Sequence, residues 1–230
     1  MTRVYLFAVL SLFVAPLSRA TTVFDGFEGS SLSPFWSVTG PGSATLTNTI
    51  AFQGSQSVLL STSPTFPWSV TLSHDFGSEQ AGSASVYVAN EICCSAADIQ
   101  VFESDGDWVN IQYNSLTGTF QSRVSIGGVQ SGVFFAGSSE VWHFFQIDAG
   151  TGGVTVELDG HTVFTNPSIT GFRSVALDVW GAPTGSANFD NFTATTTPEP
   201  ATAFQVAGTL LLLIGGEAAL RRLRPRGPVA

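Results

Sequence analysis

The 230-residue chain contains no lysine, and six of its eight arginines (Arg3, Arg19, Arg221, Arg222, Arg224, Arg226) stand close to the two ends. Between Thr21 and Ala194 only Arg123 and Arg173 face fifteen acidic residues, a net charge of −13. A surface of that sign cannot displace phosphate counterions, which excludes nucleic acid as a partner. Neutral glycans or divalent cations suit it better. Cysteine is almost as scarce: Cys93 and Cys94 are adjacent and alone, which excludes a disulfide scaffold. Neighbours on a strand point to opposite faces, so separate thiols, a vicinal disulfide in a distorted turn and an intermolecular bridge all stay open. The three histidines, His74, His143 and His161, lack companions at metal-ligand spacing and read as hydrogen-bonded structural residues. No Gly-x-Ser-x-Gly elbow activates a serine. No capped apolar stripe of 3.6-residue period appears between residues 21 and 194.

What is present is short strands. Ser57–Ser61, Trp68–Leu72, Ala84–Val88, Ile99–Phe102, Val109–Tyr113, Phe120–Ile126, Trp142–Ile147, Val154–Leu158, Val175–Val179 and Ala187–Phe192 alternate or are rich in β-branched residues, and Gly, Pro, Asn and Ser punctuate them. Asp159-Gly160 between Val154–Leu158 and Thr162–Phe164 reads as a two-residue turn, since a type I′ turn requires positive φ at both centres. Asp105-Gly106 reads the same way between Phe102 and Trp108. About 175 residues of strands and tight turns predict one all-β domain, a two-sheet antiparallel sandwich.

A family likeness sharpens this. Phe24-Asp25-Gly26-Phe27-Glu28, Phe35-Trp36, Gly54-Ser55-Gln56-Ser57, Trp142–Asp148, Val156–Gly160 and the closing Ala187–Phe192 together resemble the concanavalin A-like (laminin G-like) jelly roll. The resemblance implies first and last strands side by side and a closing Phe-Asp-Asn strand that returns to the sheet. It marks fold rather than activity.

The ends carry different information. Met1 to Ala20 has an early arginine, an apolar run Val4–Ala15 and small residues at Ser18 and Ala20, the pattern of a signal peptide cut after Ala20. After Thr195-Thr196-Thr197 come Pro198-Glu199-Pro200, an uncharged stretch Ala203–Gly216, and then Arg221, Arg222, Arg224 and Arg226. Two prolines keep the handle extended. The apolar stretch, extended to Leu220, approaches the roughly 20 residues that span about 30 Å of hydrocarbon, and the arginines stop transfer on the cytoplasmic side. This order resembles the PEP-CTERM sorting signal of Gram-negative bacteria. The likeness implies processing by an exosortase-type membrane enzyme that recognises Pro198, Glu199 and Pro200, after export by the Sec route and signal peptidase. The protein would be anchored transiently in the inner membrane, then displayed on the cell surface or in the extracellular matrix. The expected layout is a signal peptide (1–20), a sandwich domain (21–194), a Thr/Pro linker (195–202), a transmembrane sorting helix (203–220) and a basic cytoplasmic tail (221–230).

Candidate chemistry is sparse. Glu103-Ser104-Asp105-Gly106-Asp107 is the densest acidic cluster, and its Asp105 and Asp107 have the spacing that opens a calcium loop. At a turn it does not hold carboxylates at the spacing of retaining hydrolysis. Among nineteen phenylalanines, five tryptophans and three tyrosines, Trp68 and Trp108 stand at loop–strand junctions and are the candidates for stacking on a sugar ring. The expectation is a non-enzymatic envelope or matrix sandwich with a structural or adhesive role and no cofactor, in contact with exopolysaccharide or another glycan. A lectin-like carbohydrate-binding module and a secreted glycoside hydrolase with an unrecognised site are its alternatives.

Overall fold

Strand after strand, every second residue is fully buried. Val58 and Leu60 on β4 (Ser57–Ser61), Ile99 and Val101 on β6 (Ala96–Phe102), and Val154 and Val156 on β11 (Gly153–Leu158) meet in one core. That period of two follows from the strand pleat, which turns successive side chains to opposite faces. The computed structural model describes residues 20–90, 95–115, 117–136 and 141–197. Cys93 and Cys94, the signal-peptide segment, Pro198-Glu199-Pro200 and the whole tail lie outside them. Residues 20–197 form one unit. Among the described residues there is no helix, and none long and apolar enough to cross a membrane.

Two antiparallel sheets share one long strand, β5 (Ser69–Asn90). The first sheet runs β12 (His161–Asn166), β11, β10 (His143–Gly150), the second half of β5, and β14 (Ser186–Thr197). On the far side of β14 lie β1 (Thr21–Asp25) and β4, with β3 (Ser43–Thr47) beyond β4. The second sheet runs β2 (Ser37–Thr39), the first half of β5, β13 (Phe172–Trp180), β6, β7 (Trp108–Asn114), β8 (Thr119–Ile126) and β9 (Val129–Phe135). The first strand lies beside the last, and the architecture is the concanavalin A-like jelly roll. The fully buried rings of Phe27, Phe120, Phe145, Phe172, Phe189 and Phe192 fill it, each contributing about 1.5–3 kcal/mol of transfer free energy.

Three local readings change. Ser69–Leu72 and Ala84–Val88 belong to a single 22-residue strand, which passes from one sheet to the other through an irregularity between Asp75 and Gln80 that contains Gly77 (φ 84°). Thr195–Thr197 is strand rather than linker: these β-branched residues pair with Thr21 and Thr22 on one side and with Ala81, Gly82 and Ser83 on the other. Gly82 is needed there, since a Cβ would overlap the Thr195 carbonyl. The Asp159-Gly160 hairpin has both residues at positive φ (52° and 77°), whereas Asp105-Gly106 sits inside a five-residue loop that closes with Glu103 N–H donating to Asp107 O at 2.8 Å.

Candidate functional site

On β6 the residues Ala97, Ile99 and Val101 face the core, so Asp98, Gln100 and Phe102 face the opposite side of the second sheet. On β13 the same rule turns Val175, Leu177 and Val179 inward and Ala176, Asp178 and Trp180 outward. The register then places Asp178 directly opposite Asp98. Cβ atoms of such cross-strand partners lie about 4.5–5.5 Å apart. Two carboxyl groups eighty residues apart in sequence thus become immediate neighbours.

Their surroundings differ. Asp98 is 2% exposed although it points away from the core, because larger side chains close over it. Trp180 Nε1–H donates to its Oδ2 at 3.2 Å and Asn110 Nδ2–H to the same oxygen at 3.1 Å. Its Oδ1 is buried without a hydrogen-bond partner. Burial, and then the charge of Asp178, push the Asp98 carboxyl up to about 8. Asp178 is partly exposed, accepts a hydrogen bond from Thr71, and is pushed by burial up to about 6. Two adjacent acids both raised by burial hold a proton between them well above the ordinary carboxylate range, and the pair titrates as one system.

Asp178 also lines a trough of about 490 Å³ on this face, together with Thr71 and Ser73 from β5, Ser174 from β13, and the loop bearing Glu103 and Ser104. At its end Arg173 holds Asp75 through Nε at 3.1 Å and Nη2 at 2.9 Å. On the other side of the acid pair, Arg123 reaches from β8. Its guanidinium carbon lies 5.7 Å from the Trp108 ring centre and 5.5 Å from that of Trp180. Its Nη2–H donates to Gln112 Oε1 at 2.6 Å, while its Nε is buried and unpartnered.

The sequence candidates are distributed around this centre. Trp108 is part of it. Trp68, 38% exposed, stands at the start of β5, its ring edge-on to the exposed Phe66 at 5.7 Å and its carbonyl accepting from Gly181 N–H, next to Trp180. Glu103, Asp105 and Asp107 do converge, with oxygens within 4.8 Å of one another. Each is engaged by the backbone: Glu103 accepts from Thr170 N–H, Asp105 from Asp107 N–H, and Asp107 from Gly127 N–H. Burial raises the Glu103 carboxyl above its ordinary range. His143 bonds Asp159 at 3.0 Å, and His74 stacks on Phe35 while bonding its carbonyl at 2.7 Å.

Asp98, Asp178, Arg123 and Trp180 were not singled out from sequence. The available signal was an acid at the outward position of a strand whose neighbours are core aliphatics, as in Ala97-Asp98-Ile99 and Leu177-Asp178-Val179. No such signal reports the register between the two strands.

No family model and no curated protein matches this chain. Solved structures match its fold. Cellulose induced protein, Cip1, superposes with a TM-score of 0.62 at 13% identity over 77% of this chain and 98% of its own. The apo Crh5 transglycosylase gives 0.59 at 19% identity over 81% and 88%. The Bacillus licheniformis beta-glucanase gives 0.56 at 13% identity over 76% and 98%. At these identities the likeness establishes the jelly-roll fold. Together with the buried acid pair it overturns the expectation of a non-enzymatic domain with a structural or adhesive role. The chain's fold neighbours include glucanases, transglycosylases and a cellulose-induced protein, and the second sheet carries a trough lined by carboxyl and hydroxyl groups.

Proposed function

We propose that residues 20–197 form a carbohydrate-active domain that takes a neutral polysaccharide chain into the trough of the second sheet, with Asp178 as the carboxylate that meets it. One observation carries the reading: Asp178, paired across the strands with the buried Asp98, lines a cleft whose other walls offer the hydroxyls of Thr71, Ser73 and Ser174. Hydroxyl and carboxylate groups orient sugars, and flanking rings stack on their apolar faces. The net charge of −13 selects against anionic glycans. Fold neighbours titled glucanase and transglycosylase support β-glucan as the ligand to try first. The test is calorimetric titration with cellotetraose and laminaritetraose. Asp178→Ala should bind at least about tenfold more weakly, the loss of one charged hydrogen bond; unchanged affinity sinks the reading.

Glycoside cleavage or transfer is the second reading, and the cross-strand register favours it. Retaining enzymes need nucleophile and acid as close neighbours, their carboxyl groups about 5–5.5 Å apart, and directly opposed strand residues are close neighbours on one face. Ionised Asp178 would attack the anomeric carbon while protonated Asp98 gives its proton to the leaving oxygen; water, or an acceptor hydroxyl, would then break the glycosyl–Asp178 bond and return its proton to Asp98. Release of new reducing ends from β-glucan by the wild type and not by Asp178→Asn tests this directly.

We also propose, from the order of motifs at the two ends, that the chain is exported and sorted through Pro198, Glu199 and Pro200. Intact mass and fractionation of the protein with and without that segment test the idea. A full-length product that stays soluble in the cytoplasm of the native host contradicts it.

A further inference from the structure

The two arginines of the domain are held in opposite ways. Arg173 is fixed by two charged hydrogen bonds to Asp75. Among the described residues Arg123 makes no ion pair within hydrogen-bond reach: its side chain bonds the neutral Gln112, and its Nε has no partner. Asp98, beside it, keeps Oδ1 unpartnered while 2% exposed. Two buried polar atoms in one cluster therefore both lack a hydrogen-bond partner, and each asks for an explanation. Flat aromatic faces lie on two sides of the guanidinium, from β7 and β13, with Asp98 of the intervening β6 below. A planar cation suits such a slot. So does a pyranose, whose C–H faces pack on rings while its edge hydroxyls both donate and accept.

We propose that Arg123 is the internal occupant of a sugar subsite formed by Trp108, Trp180 and Asp98, and that one neutral pyranose unit of the glycan displaces it. The proposal rests on the reading that the trough binds glycan, and extends the bound chain past Asp178 onto Asp98. Displacement frees Nε to bond with water, at the cost of the attraction between the guanidinium and the Asp98 carboxyl beside it. A sugar hydroxyl then takes the unpartnered Oδ1. Asp98 becomes reachable only in that state, so Arg123 sets both affinity and access.

The test is titration of wild type, Arg123→Met, and Arg123→Met with Trp180→Ala by cellotetraose and laminaritetraose. Methionine keeps an apolar stem and removes the competitor. Arg123→Met should bind about tenfold more tightly, as expected when a binding-competent state populated at about a tenth becomes the whole population. Adding Trp180→Ala should abolish the gain. Weaker or unchanged binding by Arg123→Met overturns the subsite, and if wild type still binds in a manner sensitive to Asp178→Ala, the trough reading survives alone. Failure of every variant and of wild type to bind removes both. Should Arg123→Met not fold, the wild type suffices: its Arg123 Nε–H, protected from solvent exchange, should lose that protection on adding oligosaccharide, and protection that persists at saturation overturns displacement.

Discussion

The acidic loop Glu103–Asp107 and the acid pair Asp98–Asp178 are opposites in construction. The loop concentrates charge in sequence, and the fold gives each carboxylate a backbone N–H, with Asp105 open to solvent and Glu103 partly buried. The pair is dispersed in sequence, and the β6–β13 register forces two carboxyl groups together, with Asp98 shut off from water and Asp178 at the edge of the trough. Local density of acids therefore says little about where charge is costly. Cost arises where burial and a like charge coincide, and such places are where proton chemistry is set.

The comparison breaks first on activity. If the second reading holds, Asp178→Asn should lower β-glucan cleavage by about 10²–10⁴-fold, while Asp105→Asn leaves it within twofold, measured by reducing-end release; equal effects would erase the distinction. The pH profile sharpens it. Asp178 must be ionised and Asp98 protonated, so the rate should rise through about 6 and fall through about 8.

Stability responds next. A carboxyl raised in the folded state binds its proton more tightly folded than unfolded, so the contribution is full below the unfolded value near 3.9. It is lost as pH rises toward about 8. Thermal unfolding should therefore shift downward between pH 5 and pH 8, and Asp98→Asn, which keeps an oxygen for Trp180 and Asn110, should flatten that slope. Smaller again, Trp68→Ala should weaken glycan binding about threefold, the scale of one aromatic contact. Asp105→Asn should change unfolding free energy by less than about 0.5 kcal/mol, as for any solvated turn charge.

Most of the sandwich was legible because its cause is local. Ser57–Ser61 coincides with β4, and alternation at Val154–Leu158 and Phe120–Ile126 reports one face buried and one not. The Asp159-Gly160 turn is legible for the same reason. β9 was missed: its residues are nearly all exposed at a sheet edge, so no buried face imposes a period. The site stayed hidden because it depends on pairings across some eighty residues. Trp108 was found from its junction with a turn. Trp180, at the end of a strand, carried no such mark, and nothing in Gln121-Ser122-Arg123 announces a guanidinium between two indoles.

Carboxyl carbon NMR through a pH titration, with and without cellotetraose, addresses the central claim most directly. Asp98 and Asp178 should titrate as a coupled pair above the ordinary carboxylate range and shift when the oligosaccharide is added, while the Asp105 and Asp107 signals ignore it. Two independent titrations near 4 for Asp98 and Asp178, indifferent to the sugar, would contradict the account.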